Sequence, residues 1–334
     1  MTPTLHRVTT DELPALKDWL EQYLPDSRKI FFTVLETIRG RWQGTVFYTL
    51  GWPDILAVGE GLIGLEDSPC ALYFRDPRTT SIYSPSLDHA ETLLLYPGFL
   101  DWKQPIIFIA VTKKLRPVFQ KLSTQMGGNQ TITTNVMVEA TEEDLPERPV
   151  PEGFELRPLD PDKHTDVVLT NWPHGRRHSD LYIRELLRRF PSIGLFNKED
   201  GECVGAEIRN GYGALGMLFV KEKFRGNGFG KLITTVLSQS FFREGYSSVG
   251  WHITGGHVFL PKLTETHRNS PKLAETHHRN SPKLIDTLQN SPKLTETHHQ
   301  NSTKLTKTLR NSSKLSVTYR NSPAKLSKTD RNSP

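Results

Sequence analysis

One strand–turn–helix segment constrains the fold of this chain more than any other. The apolar run Leu215–Val220 is typical of a buried strand, and Gly230–Arg243 carries apolar residues at helical spacing. The residues between them read KEKFRGNGFG, with glycines at 226, 228 and 230. Glycine permits backbone conformations and close approaches that a side chain would block. We therefore expect a glycine-rich turn that opens directly into a helix.

Such a turn is suited to a phosphate or pyrophosphate group. The first amides of a helix have no partner in the helix, and the helix dipole adds positive potential there. Arg225 and Lys231 can add charge-assisted hydrogen bonds. We call Arg225–Lys231 the glycine turn. It lacks the spacing of a Walker loop and of a dinucleotide fingerprint, so a tight turn that binds nothing stays an alternative.

The segments around the glycine turn predict a mixed α/β domain. The sequence indicates, in order, strand, helix, helix, strand, strand, strand, helix and strand. These elements are expected at Phe154–Leu159, Asp160–Trp172, Ser179–Phe190 (capped by Ser179), Ile193–Phe196, Cys203–Ile208, Ala214–Val220, Gly230–Arg243 and Val249–Ile253. The acidic, Pro-rich run Glu142–Glu152 reads as a linker, which predicts domains over 1–145 and 146–258.

The first half of the chain is less regular. A capping box at Thr9–Glu12 predicts the start of a helix. Further elements are expected as strands at Phe31–Leu35, Thr45–Leu50, Ile55–Val58, Ala71–Phe74 and Ile106–Val111, with helices at Leu87–Leu95 and from the last strand to about Gln125. This half is mixed α/β and contains no catalytic motif that we can name.

The motif of the glycine turn resembles that of a known superfamily. Arg225-Gly-Asn-Gly228-Phe-Gly230 matches the Arg/Gln-x-x-Gly-x-Gly/Ala signature of the GNAT acyl-CoA N-acyltransferases. Within that superfamily, further segments resemble the glycine N-acyltransferase family over about residues 10–253. They are Trp172-Pro-His-Gly175, Ser179, Tyr182-Ile183, Phe190-Pro191-Ser192, Trp52-Pro-Asp54 and Asp101-Trp-Lys-Gln104.

The resemblance implies a mechanism with acyl-CoA as co-substrate and no permanently bound cofactor or metal. The CoA pyrophosphate would bind the glycine turn, formed by Arg225, Gly226, Asn227, Gly228, Phe229, Gly230 and Lys231. The pantetheine would pair with the strand at Leu218, Phe219 and Val220. Glycine or a similar amino acid would attack the thioester directly, beside Trp172, His174 and Ser179. A base would take the amine proton, and a backbone N–H would polarise the carbonyl.

Two departures from the family leave an alternative open. The family often has Glu where this chain has Lys223, and Glu222 lies one residue earlier. In an extended segment that shift reverses the side-chain direction, so Glu222 is a candidate base or a solvated carboxylate, and His252 is a second candidate. After Ile253 the family continues with a helix and closing strands, which this chain replaces by repeats. The alternative is a truncated pseudo-enzyme that binds CoA or a partner without turnover.

The chain ends in a repeat. Seven units of 10 or 11 residues fill 261–334, each with one dependable apolar residue after a lysine. That surface is too small to offset the backbone entropy of ordering, about 1–2 kcal/mol per residue, so we expect a disordered tail over 259–334. The tail holds 14 of the 42 Lys and Arg residues but 5 of the 37 acidic ones. The remaining body is mildly acidic, which disfavours a nucleic-acid-binding domain, although a basic arm stays an alternative.

Composition limits the cellular setting. Two cysteines, Cys70 and Cys203, form neither a disulfide scaffold nor a metal cluster and fit a reducing compartment. No run reaches the ~18 apolar residues of a membrane span, and Met1–Glu12 lacks the apolar core of a secretory signal. The family resemblance implies a mitochondrial location; otherwise we expect a cytoplasmic monomer.

Overall fold

A computed structural model describes residues 3–61, 69–127, 129–253 and 313–320. The described residues belong to two compact units. The first lies within Met1–Thr134 and Lys314–Pro334, and the second within Asn135–Ser313. The division falls inside a strand, earlier than the Pro-rich segment Glu142–Glu152 from which the sequence predicts the domain boundary.

The first unit contains two groups of strands and five helices among its described residues. The strands are β1 (Leu5–Arg7), β2 (Val46–Leu50), β3 (Ala57–Gly61), β4 (Arg78–Thr80), β5 (Ile82–Tyr83) and β6 (Ile106–Thr112); the helices are α1 (Leu13–Glu21), α2 (Arg28–Ile38), α3 (Ala71–Arg75), α4 (Leu87–Leu95) and α5 (Arg116–Gln125). An antiparallel sheet has the order β1-β2-β3-β5, while β4 pairs with β6 in parallel. Side chains of α4, β6 and α5 share one core, including Leu93, Phe108 and Phe119.

Two strand predictions in this unit are wrong. Phe31–Leu35 lies in α2, and Ala71–Phe74 lies in the short helix α3. Helix α2 is buried on nearly all sides, with Phe31, Phe32 and Val34 inaccessible to solvent. A short run that is apolar on every face has no periodicity to separate a buried helix from a buried strand. The capping box at Thr9, in contrast, is present and precedes α1.

The elements of the second unit are β7 (Asn129–Ala140), β8 (Phe154–Arg157), α6 (Pro161–Asn171), α7 (Ser179–Arg189), β9 (Ser192–Asn197), β10 (Cys203–Asn210), β11 (Ala214–Val220), α8 (Phe229–Phe242) and β12 (Ser248–Ile253). From β8 to β12 the second unit follows the predicted element order; β7, which crosses the unit boundary, is an element that the sequence did not predict. An antiparallel sheet has the order β11-β10-β9-β8. Residues Asn135–Ala140 of β7 pair with β12, which assigns this half of β7 to the second unit.

Helix α8 packs closely on the sheet of the second unit. Leu232 and Ile233 of α8 form a core with Leu195 and Val204. Gly205 of β10 allows this approach, because a Cβ there would lie 3.0 Å from Ile233 Cδ1 and 2.9 Å from the Phe219 carbonyl oxygen. The packing fixes the start of α8 beside the end of β11, where the chain makes its glycine turn.

One segment of the repeat tail lies among the described residues, and disorder over 259–334 stays a prediction. Ser313–Arg320 forms strand β13, antiparallel to β6, with Lys314 opposite Thr112 and Tyr319 opposite Ile106. In this repeat Leu315, Val317 and Tyr319 alternate with polar residues, and β-branched and aromatic residues favour strands. The rest of the predicted tail lies outside the described residues.

Candidate functional site

The glycine turn adopts a conformation that requires glycine at two positions. Gly226 and Gly228 have φ of 85° and 78°, and Gly228 is the N-cap of α8. A Cβ on either residue would meet no heavy atom within 4 Å. Glycine is therefore required by the left-handed backbone and not by lack of space. The turn is exposed from Arg225 to Gly228, so a ligand can reach it.

Local hydrogen bonds hold the glycine turn at the end of β11. The Lys221 amide donates to the Val204 carbonyl oxygen at 2.8 Å, which extends the strand pairing by one residue. The Arg225 Nε donates to the Val220 carbonyl oxygen at 3.0 Å, and the Asn227 Nδ2 donates to the Phe224 carbonyl oxygen at 3.2 Å. The turn is thereby shaped by its own side chains, and the positive charge of Arg225 stays exposed beside it.

The first turn of α8 directs backbone donors outward. Its first amides have no acceptor within the helix, and the helix dipole adds positive potential at the same end. The Phe229 side chain is buried, with its ring 4.9 Å from the Phe154 ring. This anchor fixes the direction of the helix. The start of α8 therefore has the geometry of an anion site. Arg225 is the first residue of the glycine turn and Lys231 is its last.

Strand β11 contains a bulge and is the edge strand of its sheet. Met217 has φ of 58°, and the register with β10 shifts between Ala206 and Ile208. Among the described residues, β11 is paired through β10 on one side and is the terminal strand of its sheet. An edge strand presents backbone N–H and C=O groups that can pair with an extended ligand. Leu218, Phe219 and Val220, predicted to contact pantetheine, follow the bulge.

The candidate base Glu222 does not lie in extended backbone. Glu222–Phe224 forms a 3₁₀ turn, so strand alternation does not set the direction of this side chain. The Glu222 side chain is exposed. The flanking Lys223 and Lys221 bind Glu202, with Nζ–O distances of 2.7 and 2.9 Å, and these hydrogen bonds, Lys223 first, lower the pKa of Glu202. The side chain of the second candidate, His252, is outside the described part of the structure.

A buried carboxylic acid that the sequence interpretation missed lies beneath α8. Glu207 of β10 is 5 % exposed and accepts a hydrogen bond of 2.7 Å from Thr234 Oγ1. Burial raises the pKa of Glu207 to about 8, against a smaller lowering by that hydrogen bond. In the β10–β11 register Glu207 lies opposite the bulge at Met217. Its one sequence signal is an isolated acid inside the buried strand Cys203–Asn210.

The three predicted substrate residues lie around the junction of α6 and α7. Trp172 is the half-buried residue that ends α6, and His174 is exposed. Ser179 is 1 % exposed, and its Oγ accepts a hydrogen bond of 2.8 Å from the Arg176 amide. The N-cap of α7 is His178, with φ of 63°, in place of the predicted Ser179. Ser179 thus stabilises a turn, and the contact of all three with substrate stays a prediction.

Two other classes of site are absent from the described part of the chain. No group of three or more His, Cys, Asp or Glu side chains there has metal-binding geometry. No helix there is long and apolar enough to cross a membrane.

Comparisons with known proteins give one family-model match and several structural matches. A family model described as FR47-like protein matches residues 192–255, which include β9, β10, β11, the glycine turn, α8 and β12. An X-ray structure of a Drosophila protein has a TM-score of 0.65 at 14 % identity, covering 95 % of this chain and 99 % of that one. No curated protein matches.

Other structural matches are weaker. A tandem GNAT protein from the clavulanic acid biosynthesis pathway has a TM-score of 0.42 at 12 % identity, covering 79 % of this chain and 93 % of its own. A GCN5-related N-acetyltransferase-like protein from Streptococcus suis also has a TM-score of 0.42 at 12 % identity, with coverage of 93 % and 100 %. The fold is the mixed α/β fold predicted from the sequence, and residues 192–255 are similar to the FR47-like family model.

Proposed function

We propose that the protein is an acyl-CoA-dependent N-acyltransferase whose acceptor is glycine or a similar small amino acid. The observation that carries the proposal is the succession of a bulged edge strand, two left-handed glycines and a helix N-terminus within Ala214–Phe242. This succession offers backbone donors first to an extended chain and then to a doubly charged phosphate group. Acyl-CoA combines both groups in one molecule.

Two parts of the proposed site bind different parts of CoA. The amides of the glycine turn bind the pyrophosphate, and Arg225 contributes a positive charge that the Val220 carbonyl holds in position. The pantetheine lies along Leu218–Val220 and pairs with the free edge of β11. The thioester then lies near the bulge at Met217, where the backbone turns away from regular pairing.

Acyl transfer in this arrangement is a direct displacement. The neutral amine of the acceptor attacks the thioester carbonyl carbon, forming a C–N bond, and the C–S bond breaks to release CoA as a thiolate. A backbone N–H at the bulge stabilises the oxyanion, and a base takes the proton that the amine loses. Glu222 is the candidate base that the family resemblance offers; it is exposed and follows β11, so it can take this proton only if the amine approaches from the end of the strand.

A thiol-release assay tests the activity. Benzoyl-CoA or acetyl-CoA is incubated with glycine and the full chain, and free CoA is measured together with the acylglycine product. Glu222→Gln should lower kcat by about 10²–10⁴-fold if Glu222 is the base. Glu199→Gln, at an exposed position of the β9–β10 hairpin, is the matched control and should leave the rate unchanged. Equal rates for the two variants would reject Glu222 as the base.

One observation favours a second candidate, a CoA-binding pseudo-enzyme. Lys223 stands where the resembling family often has glutamate, and it is ion-paired with Glu202 at 2.7 Å. This pairing holds a cation where that family offers a base. Saturable CoA binding without thiol release from any tested acyl-CoA and amino acid would support the pseudo-enzyme, whereas turnover with glycine would exclude it.

A further inference from the structure

Met217 of β11 has a backbone conformation that its residue type disfavours. Its φ of 58° lies in the left-handed region, where the Cβ of a residue other than glycine crowds the backbone. The register of β11 with β10 shifts at this position, so that two residues of β11 lie opposite the single residue Glu207. Such a conformation persists only where the surrounding structure imposes it. The contacts on the two faces of β11 must therefore hold the bulge.

A buried amide fills one face of β11 next to the bulge. Gly216 precedes Met217, and a Cβ on Gly216 would lie 2.5 Å from Asn210 Nδ2. The Asn210 amide therefore packs directly on the backbone of Gly216, in the space that a larger residue would take. Asn210 is 2 % exposed, and its Nδ2 donates to the Ala214 carbonyl oxygen at 3.4 Å. One side chain thus contacts β11 from Ala214 to the residue before the bulge.

Helix α7 holds this amide in place. The Tyr182 hydroxyl donates to Asn210 Oδ1 at 3.4 Å, and Tyr182 is 6 % exposed. The neighbouring Ile183 of α7 is inaccessible to solvent, so the helix is packed closely at this point. Both hydrogen bonds of the Asn210 amide are long, so its close packing on Gly216 supplies most of the constraint. Removal of either side chain should therefore release the backbone at Gly216.

Helix α8 covers the opposite face of the bulge. Residues alternate between the faces along a strand, so Glu207 and Asn210 of β10 lie on opposite sides of the sheet. Glu207 accepts a hydrogen bond of 2.7 Å from Thr234 of α8. Leu218, the second residue of the bulge, packs against the core around Ile233 of the same helix. Side chains from α7 and α8 thus confine the bulged backbone from both sides.

We propose that Asn210 and Tyr182 are positioning residues, which hold Met217 in its left-handed conformation and so direct a backbone N–H of the bulge at the thioester oxygen. The inference rests on the proposed function, in which this N–H stabilises the oxyanion. Neither is a catalytic residue, because both side chains are buried and bind each other. Their loss should lower kcat and leave the binding of CoA by the glycine turn unchanged.

Two glycines of the same sheet provide a matched pair of variants. Gly216→Ala places a methyl group against Asn210 Nδ2 and displaces the amide without removing a polar group. Gly194→Ala in β9 creates a similar clash away from the bulge, since a Cβ there would lie 2.6 Å from Phe196 Cε2. In the thiol-release assay Gly216→Ala should lower kcat by about 10²-fold, the effect of a displacement of about 1 Å at a catalytic group. Its KM for acyl-CoA should change by less than about threefold. Equal kcat in the two variants would overturn the proposal.

Two substitutions that create no clash test the amide itself. Asn210→Ala should lower kcat by about 10²-fold, and Tyr182→Phe, which removes only the hydroxyl, by about fivefold. Asn197→Ala is the control, because it removes an amide that accepts from the Glu199 N–H at 3.0 Å in the β9–β10 hairpin, and it should retain kcat. Unchanged kcat in both Asn210→Ala and Tyr182→Phe would contradict a positioning role, as would a loss of CoA affinity that accounts for the whole loss of activity.

Hydrogen exchange separates this inference from the proposed function. Amides within Ala214–Val220 should exchange faster in Gly216→Ala than in Gly194→Ala, whether or not the chain turns over acyl-CoA. Absence of thiol release by the unmodified chain would reject the proposed function, and faster exchange in Gly216→Ala would then still show that Asn210 holds the bulge. Equal exchange in the two variants would show that it does not. Matching far-UV circular dichroism of the two variants confirms that the fold is retained.

Discussion

Replacement of Gly228 by alanine tests the glycine turn against a control at the opposite end of the same helix. Gly228 precedes α8 with φ of 78°, and Gly245 follows it with φ of 77°. A Cβ would meet no heavy atom within 4 Å at either position. The two substitutions therefore impose the same backbone strain, about 1–2 kcal/mol for a left-handed residue other than glycine. They differ in that Gly228 belongs to the proposed pyrophosphate site.

The expected loss of CoA affinity follows from the donors in the turn. Gly228→Ala relieves its strain by rotating the backbone, which misdirects at least one amide that would bond to the pyrophosphate. A hydrogen bond to a charged group contributes about 1.5–3 kcal/mol, so the dissociation constant should rise by about 10- to 100-fold. Gly245→Ala leaves these amides in place and should change the constant by less than about twofold.

Calorimetric titration of CoA into each variant measures this difference, with thermal unfolding as the companion assay. Both variants should unfold at similarly reduced temperatures, which shows that the strain is matched. Gly228→Ala alone should lose affinity. If both variants bind CoA as the unmodified chain does, the turn does not hold the pyrophosphate, and if both lose affinity equally, the loss reflects stability and not the site.

Three further changes test other parts of the site. Because burial raises the pKa of Glu207 to about 8, the folding stability should fall as pH rises from about 4.5 to 8, by roughly 1 kcal/mol per pH unit. Glu207→Gln should remove this pH dependence from urea unfolding, and a slope that persists in the variant would refute the prediction. Arg225→Ala should weaken CoA binding several-fold, whereas Arg243→Ala at the other end of α8 should not. Ser179→Ala should cost about 1 kcal/mol of unfolding free energy without changing CoA affinity, since its Oγ accepts from the Arg176 amide.

The fold of the second unit could be predicted because its signals are local. The strand Ala214–Val220, the glycines at 226 and 228 and the amphipathic α8 each carry their own pattern, and the structure has them in the predicted order. The run Phe31–Leu35 could not be assigned, because burial on every face of α2 removes the periodicity that separates helix from strand. The order of strands in a sheet depends on long-range pairing, which no short pattern reports.

The residues of the site were predictable to different degrees. The left-handed conformations of Gly226 and Gly228 follow from their residue type, since glycine is the residue that adopts them readily. The sequence did not single out Glu207, because the hydrogen bond that it accepts from Thr234 joins residues 27 positions apart in the chain. The pairing of Ser313–Arg320 with β6 is long-range, so no short pattern in the tail reports it.

Comparison of CoA with pantetheine by calorimetry tests the central claim most directly. The two ligands share the chain that would lie along β11, but only CoA carries the pyrophosphate assigned to the glycine turn. The full chain should bind CoA at one site and at least about tenfold more tightly than pantetheine, with inorganic pyrophosphate competing for that site. Equal affinity for the two ligands, or no binding of CoA, would contradict the assignment of the Arg225–Lys231 turn.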